Sequence, residues 1–110
     1  VKTYEEILAA LADPTRRAIF ERLRQGPSSV GELAADLPVS RPAVSQHLRV
    51  LKESSLVRCE PQGTRNVYHV NPRGLEPLRS YLESFWDEVL SAFSEAVASQ
   101  QGGRDESREP

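Results

Sequence analysis

One cysteine, Cys59, and two histidines, His47 and His69, are all that 110 residues offer to thiol or imidazole chemistry. A lone thiol closes no intrachain disulfide and supplies no Cys pair for zinc, which fits a reducing compartment. No apolar run approaches the ~20 residues that a membrane helix needs, and the amino-terminal stretch has no signal-peptide pattern. A soluble, cytoplasmic protein is therefore expected. Also missing are a nucleophile elbow, a phosphate-cradling glycine loop and paired acids in an evident cleft, so an enzyme is not expected and no cofactor is implied. What remains, 38% hydrophobic and 27% charged residues in a length that suits one domain, is ordinary for a globular protein.

Apolar spacing and punctuation divide the chain into elements. Ile7, Leu8 and Leu11 fall at helical spacing in residues 4–12, and Asp13-Pro14 stops that helix, because the residue before proline is pushed out of the helical region. Asp13 then serves as the cap of a second helix with Pro14 in its first turn and Ala18, Ile19 and Leu23 inside, ended by Gly26-Pro27. A short extended piece at 28–30 leads to a third helix at 31–37, which Pro38 closes. Ser40 caps a fourth, over about 41–53, in which Val44, Leu48 and Leu51 face a core while Pro42, Gln46, Arg49 and Glu53 point away. Residues 56–60 and 66–70 read as β-strands around a glycine-bearing loop at 61–65. Asn71-Pro72 repeats the cap-plus-proline start, and a long helix is predicted from about 75 to 99, with a disordered tail over 100–110. The fold class is mainly α with a small β-hairpin. Helices, a tight link at 38–40, a recognition-type helix and a hairpin make a winged helix-turn-helix, one domain over 1–99.

Charge is unevenly spread along these elements. The chain has a formal net charge of -2, yet residues 38–73 carry Arg41, Arg49, Lys52, Arg58, Arg65 and Arg73 against Glu53 and Glu60, a net +4. Residues 74–99 carry Arg79 against five carboxylates, a net -4. Exposed charges separated by more than the ~8 Å Debye length barely feel one another, so a local cationic face can bind phosphate on an acidic protein.

A helix in a major groove needs short polar and forked basic side chains at the base edges. Arg41, Ser45, Gln46 and Arg49 supply that chemistry: Arg49 is suited to guanine and Gln46 to adenine, while Ser40 and Lys52 suit the backbone and the Pro42 ring a sugar or thymine methyl. The bland alternative is a solvated helix face. In the hairpin, Arg58 and Arg65 flank Gly63 and Thr64, which reads either as a wing for the minor groove or backbone or as a solvated loop. His47, on the flank of the apolar stripe, reads first as a structural histidine, with DNA contact or a pH response as the alternative. Along the last helix Leu78, Leu82, Phe85, Val89 and Phe93 step by three and four, with Tyr81 and Trp86 widening the stripe, more than one domain can cover; a second copy is the expected cover, with Trp86 as anchor.

The stretches LADPTRRAIFERL (11–23), SVGELAADLPVSRPAVSQHLRVLKESSLV (29–57) and GTRNVYHVNP (63–72) resemble the ArsR family of bacterial winged-helix transcriptional repressors. The resemblance implies a homodimer on a palindromic operator, often its own promoter, with the first and last helices forming the dimer interface. It implies Tyr4, Ile7, Leu8 and Leu11 of the first helix at that interface, Ser40, Arg41, Ser45, Gln46, His47 and Arg49 on the recognition helix, and Arg65 on the wing. Metal-sensing members carry a cysteine pair in helix three, where this sequence has Ala34 and Ala35. Others use histidines in the last helix, where Glu83, Asp87, Glu88 and Glu95 have neither His nor Cys among them. No metal is therefore expected, a metal-responsive repressor being one rival reading and a winged helix used only for protein contacts the other.

Overall fold

The computed structural model describes residues 3–108, with side chains over 3–100; beyond Gln100 the tail expected at 100–110 lies outside that side-chain range. In chain order the elements are α1 (Tyr4–Ala12), α2 (Pro14–Arg24), β1 (Ser28–Ser29), α3 (Val30–Asp36), α4 (Arg41–Glu53), β2 (Val57–Gln62), β3 (Arg65–Val70), a 3-10 turn (Pro72–Leu75) and α5 (Glu76–Arg108). They form two compact units, 1–78 and 79–110.

Capping side chains explain the crisp helix boundaries of the first unit. The Thr3 hydroxyl accepts from the Glu6 amide while Glu6 accepts from the Thr3 amide, a reciprocal cap for α1. At the α1–α2 corner the Asp13 carboxylate accepts from the Arg16 amide at 2.9 Å. Arg16 and Arg17 then reach backwards, Arg16 Nε donating to the Ala10 carbonyl at 2.7 Å and Arg17 Nη1 to the Leu11 carbonyl at 3.0 Å. The stretch DPTRR thus starts one helix and satisfies the orphan carbonyls of the one before it. Ser29 and Glu32 repeat the reciprocal cap for α3, and Ser40 caps α4 through the Ala43 amide at 3.3 Å.

The core gathers Ile7 and Ala10 of α1, Ile19, Phe20 and Leu23 of α2, Leu33 of α3, Val44, Leu48 and Leu51 of α4, and Leu56 and Val57 ahead of the wing. Phe20 rather than Ala18 completes the inner face of α2; Ala18 is exposed. The sheet has order β1-β3-β2, all antiparallel, with Ser28 opposite Tyr68 and Cys59 opposite Tyr68 from the other side. β1 thus ties the start of α3 to the wing.

Two expectations are corrected here. The hairpin turn is two residues, Gly63-Thr64, with Gln62 opposite Arg65, not a loop over 61–65. Gly63 takes φ +64° and Thr64 does not, the sign pattern of a II′ turn, which matches the twist of the flanking strands. Asn71 does not cap the following turn; its Nδ2 donates to the Ser55 carbonyl at 2.9 Å. That carbonyl belongs to a residue in the left-handed region (φ 64°) and lies directly beneath Gly74, where a Cβ would come within 1.7 Å of it. The segment just after α4 is so locked to the turn that precedes α5.

In the second unit α5 exposes Leu82, Phe85, Trp86, Val89, Leu90, Phe93 and Val97, Phe93 at 64% and Trp86 at 58%. At 100° per residue these side chains share about half the helix circumference and the carboxylates of Glu83, Asp87, Glu88 and Glu95 the other. Among the described residues no helix is long and apolar enough to cross a membrane.

Candidate nucleic-acid interface

The face of α4 opposite Val44, Leu48 and Leu51 is built by periodicity alone. Pro42, Gln46 and Arg49 stand outermost, with Arg41, Ser45 and Lys52 along one flank, and all six are exposed. Arg41, Arg49 and Lys52 have no carboxylate partner among the described residues. Their charge is open to an external anion. His47 is half-buried on the opposite flank, near Asp13, whose carboxyl is held below its ordinary range by the Arg16 amide and further by His47 and Arg16. The imidazole therefore stands apart from Arg41 and Ser45.

Between the first turn of α4 and the wing lies an open cleft of about 480 Å³, lined by Arg41 and Ser45 on one side, Thr64, Arg65 and Asn66 on the other, and the Ser29–Gly31 corner at its floor. The cleft brings residues of α4 and of the wing to one place. Ser40, Gly63 and Thr64 are also exposed.

The wing cations differ from those of α4 in being engaged. Arg58 Nη1 donates to Glu60 Oε2 at 2.8 Å, which together with nearby His69 keeps Glu60 below the usual carboxylate range. Arg65 Nη2 donates to Glu32 Oε1 at 3.0 Å. Arg58 pairs across the ladder with His69, well back from the turn at 63–64, so the structure separates it from the cleft that holds Arg65. His69 Nε2 sits 3.2 Å from Glu60 Oε1 but off the line a hydrogen bond requires, and it meets no other acceptor. Cys59 is half-buried against Tyr68, whose hydroxyl burial and the thiol push above its ordinary range. Among the described residues no three His, Cys, Asp or Glu side chains gather as a metal site.

The residues expected at a dimer interface divide. Leu8, Leu82, Phe85, Trp86, Val89 and Phe93 are exposed, and Tyr4 partly so. Ile7 is 0% exposed, sealed within its own core, while Leu11 and Leu78 are partly buried and pack against that core. Local sequence pattern picks out the cations of α4 and the wing but not Glu32, which the Ser29-x-x-Glu32 cap signature marks only as a helix start.

Comparison with known proteins agrees with this geometry. A helix-turn-helix domain model matches residues 11–60. The HTH-type transcriptional regulator Rv2034 of Mycobacterium tuberculosis is 58% identical over 91 residues, 83% of this chain and 85% of the relative. An ArsR-like transcriptional regulator from Rhodococcus sp. RHA1 has a similar structure, with a TM-score of 0.70 at 31% identity, over 84% of this chain and 91% of that one. The homodimeric winged helix-turn-helix DNA-binding domain Mb0332 from Mycobacterium bovis, a possible ArsR-family regulator, gives 0.62 at 27% identity, over 76% of this chain and 78% of that one.

Proposed function

The chain belongs to the ArsR family of winged helix-turn-helix transcriptional regulators, and from that we propose a homodimeric repressor that binds a palindromic operator, its own promoter included. The observation that carries the reading is the α4 face: three cations without a carboxylate partner among the described residues, with Ser45 and Gln46 between them, on a helix whose other side is locked into the core. In this reading residues 41–53 enter the major groove. Arg49 and Gln46 read base edges, while Ser40, Arg41, Pro42, Ser45 and Lys52 fix the helix on the backbone. The wing, with Gly63, Thr64 and Arg65, lies on the flanking minor groove or backbone. Arg58 adds to the field at longer range.

The homodimer is supported by the apolar half of α5, with exposed Leu8 and partly exposed Tyr4 of α1 as further contacts, and by the homodimeric state of the Mycobacterium bovis relative. Two copies related by a twofold axis present two recognition helices to successive major grooves, about 34 Å apart. A gel-shift titration against the DNA upstream of its own gene tests the proposal. Tight binding that falls steeply with salt is expected, and absence of any shift at low salt overturns it.

A further inference from the structure

The recognition helix offers its cations free, whereas Arg65 of the wing is held. Its Nη2 donates at 3.0 Å to Glu32 Oε1, and the same oxygen accepts from the Ser29 amide at 2.9 Å and the Ser29 hydroxyl at 3.2 Å. Glu32 is therefore fixed by its own helix cap, and Arg65 comes to it from a strand 33 residues further along. Both side chains are more than half exposed. Arg65 and the Ser29 that caps Glu32 line the cleft shared with Arg41 and Ser45, so a phosphate entering that cleft meets Arg65 with a carboxylate already on it. A carboxylate and a phosphate bind guanidinium through the same charge-assisted hydrogen bonds. The two compete for one group.

We propose that Glu32 is an internal stand-in for a DNA phosphate: it holds Arg65 in the free protein, must be exchanged for phosphate when the wing engages, and so weakens the grip on DNA that is not operator. The proposal rests on the DNA-binding reading above. In a loose encounter no phosphate is positioned to displace a carboxylate anchored by three donors, whereas a docked recognition helix brings backbone into the cleft and makes the exchange. The Ser29 hydrogen bonds and Arg65 also keep Glu32 ionised by holding its carboxyl below the usual range, so the competitor is present at neutral pH.

Glu32→Gln is the informative variant, because glutamine at this position still returns to the cap amide and preserves the α3 start. Binding of wild type, E32Q, R65Q and the double variant to a short random-sequence duplex is measured across a salt series, with thermal melting as a control for the fold. E32Q is expected to bind about two- to fivefold tighter near physiological salt, the range an exposed ion pair spans. Its log–log salt slope is expected to steepen by about 0.9 for each protomer engaged, one added phosphate contact. In the R65Q background the same change is expected to have no effect. Equal affinity and slope for E32Q and wild type overturn the proposal, as does a gain that survives without Arg65, since that marks general charge removal. If wild type itself binds no duplex at low salt, the DNA-binding reading fails and takes this one with it.

Discussion

Arg49 is the residue on which base recognition turns in this account. It is exposed, has no carboxylate partner among the described residues, and stands on a helix fixed from behind by Leu48 and Leu51. Arg49→Ala is expected to weaken operator binding by about 1–3 kcal/mol and relax preference at one base position, with the melting temperature unchanged. Quantitative gel shifts on operator variants check it. The helix-facing logic of α4 was readable from period alone, since Val44, Leu48 and Leu51 admit one inward face. The Arg65–Glu32 pair was not, because no local pattern announces a contact between residues 33 apart. A pH effect also belongs at this scale. Asp13, Glu32 and Glu60 all have carboxyls held below their ordinary values, by the Arg16 amide, the Ser29 amide and Arg58 respectively. Each binds a proton less readily folded than unfolded, so the stability they contribute is present above the ordinary carboxyl range of ~4 and is lost as pH falls through and below it. Stability read by urea denaturation at a series of pH values is expected to fall less between pH 7 and about 3 in an Asp13→Asn, Glu32→Gln, Glu60→Gln triple variant than in wild type, the variant being the less stable of the two at neutral pH.

Elements reveal where sequence rules hold and where packing overrides them. The bounds of α1 and α4 coincide with the expected ones because the Thr3, Asp13 and Ser40 caps, with Pro14 and Pro42 after the last two, are local chemistry. β2 starts one residue later and ends two residues later than expected, and β3 starts one residue earlier. Proline ordinarily marks a strand end, but β2 is an edge strand, so Pro61 can sit opposite Asn66 with its missing amide hydrogen costing no ladder partner. The junction between α4 and the turn before α5 was illegible for the opposite reason: Ser55, Asn71 and Gly74 are unremarkable singly and meaningful only as a contact. Gly74→Ala would drive a methyl into the Ser55 carbonyl. It is expected to destabilise the fold by at least about 1–3 kcal/mol, read by urea denaturation, whereas Ser40→Ala costs about 1 kcal/mol through its lost cap.

At the level of the whole molecule, the segregation of charge and grease along the chain was legible from composition by segment: net +4 over residues 38–73 and net -4 over 74–99. Which apolar residues are left outside was only partly so. Helical spacing places Ile7 and Leu11 on one stripe with Leu8, and only the packing of α1 on the core shows that Ile7 is sealed inside while Leu8 stays out. Trp86→Ala removes the largest exposed apolar side chain of α5 and is expected to weaken self-association by about 2 kcal/mol or more, with DNA affinity falling in step. Sedimentation equilibrium reads the first effect directly. The central claim, that pairing two copies aims two cationic helices at one duplex, is tested most directly by hydroxyl-radical footprinting of the purified protein on the DNA upstream of its gene. Two protected patches about one helical turn apart, centred on a palindrome, are the expected result. A single protected patch, or none at low salt, contradicts it.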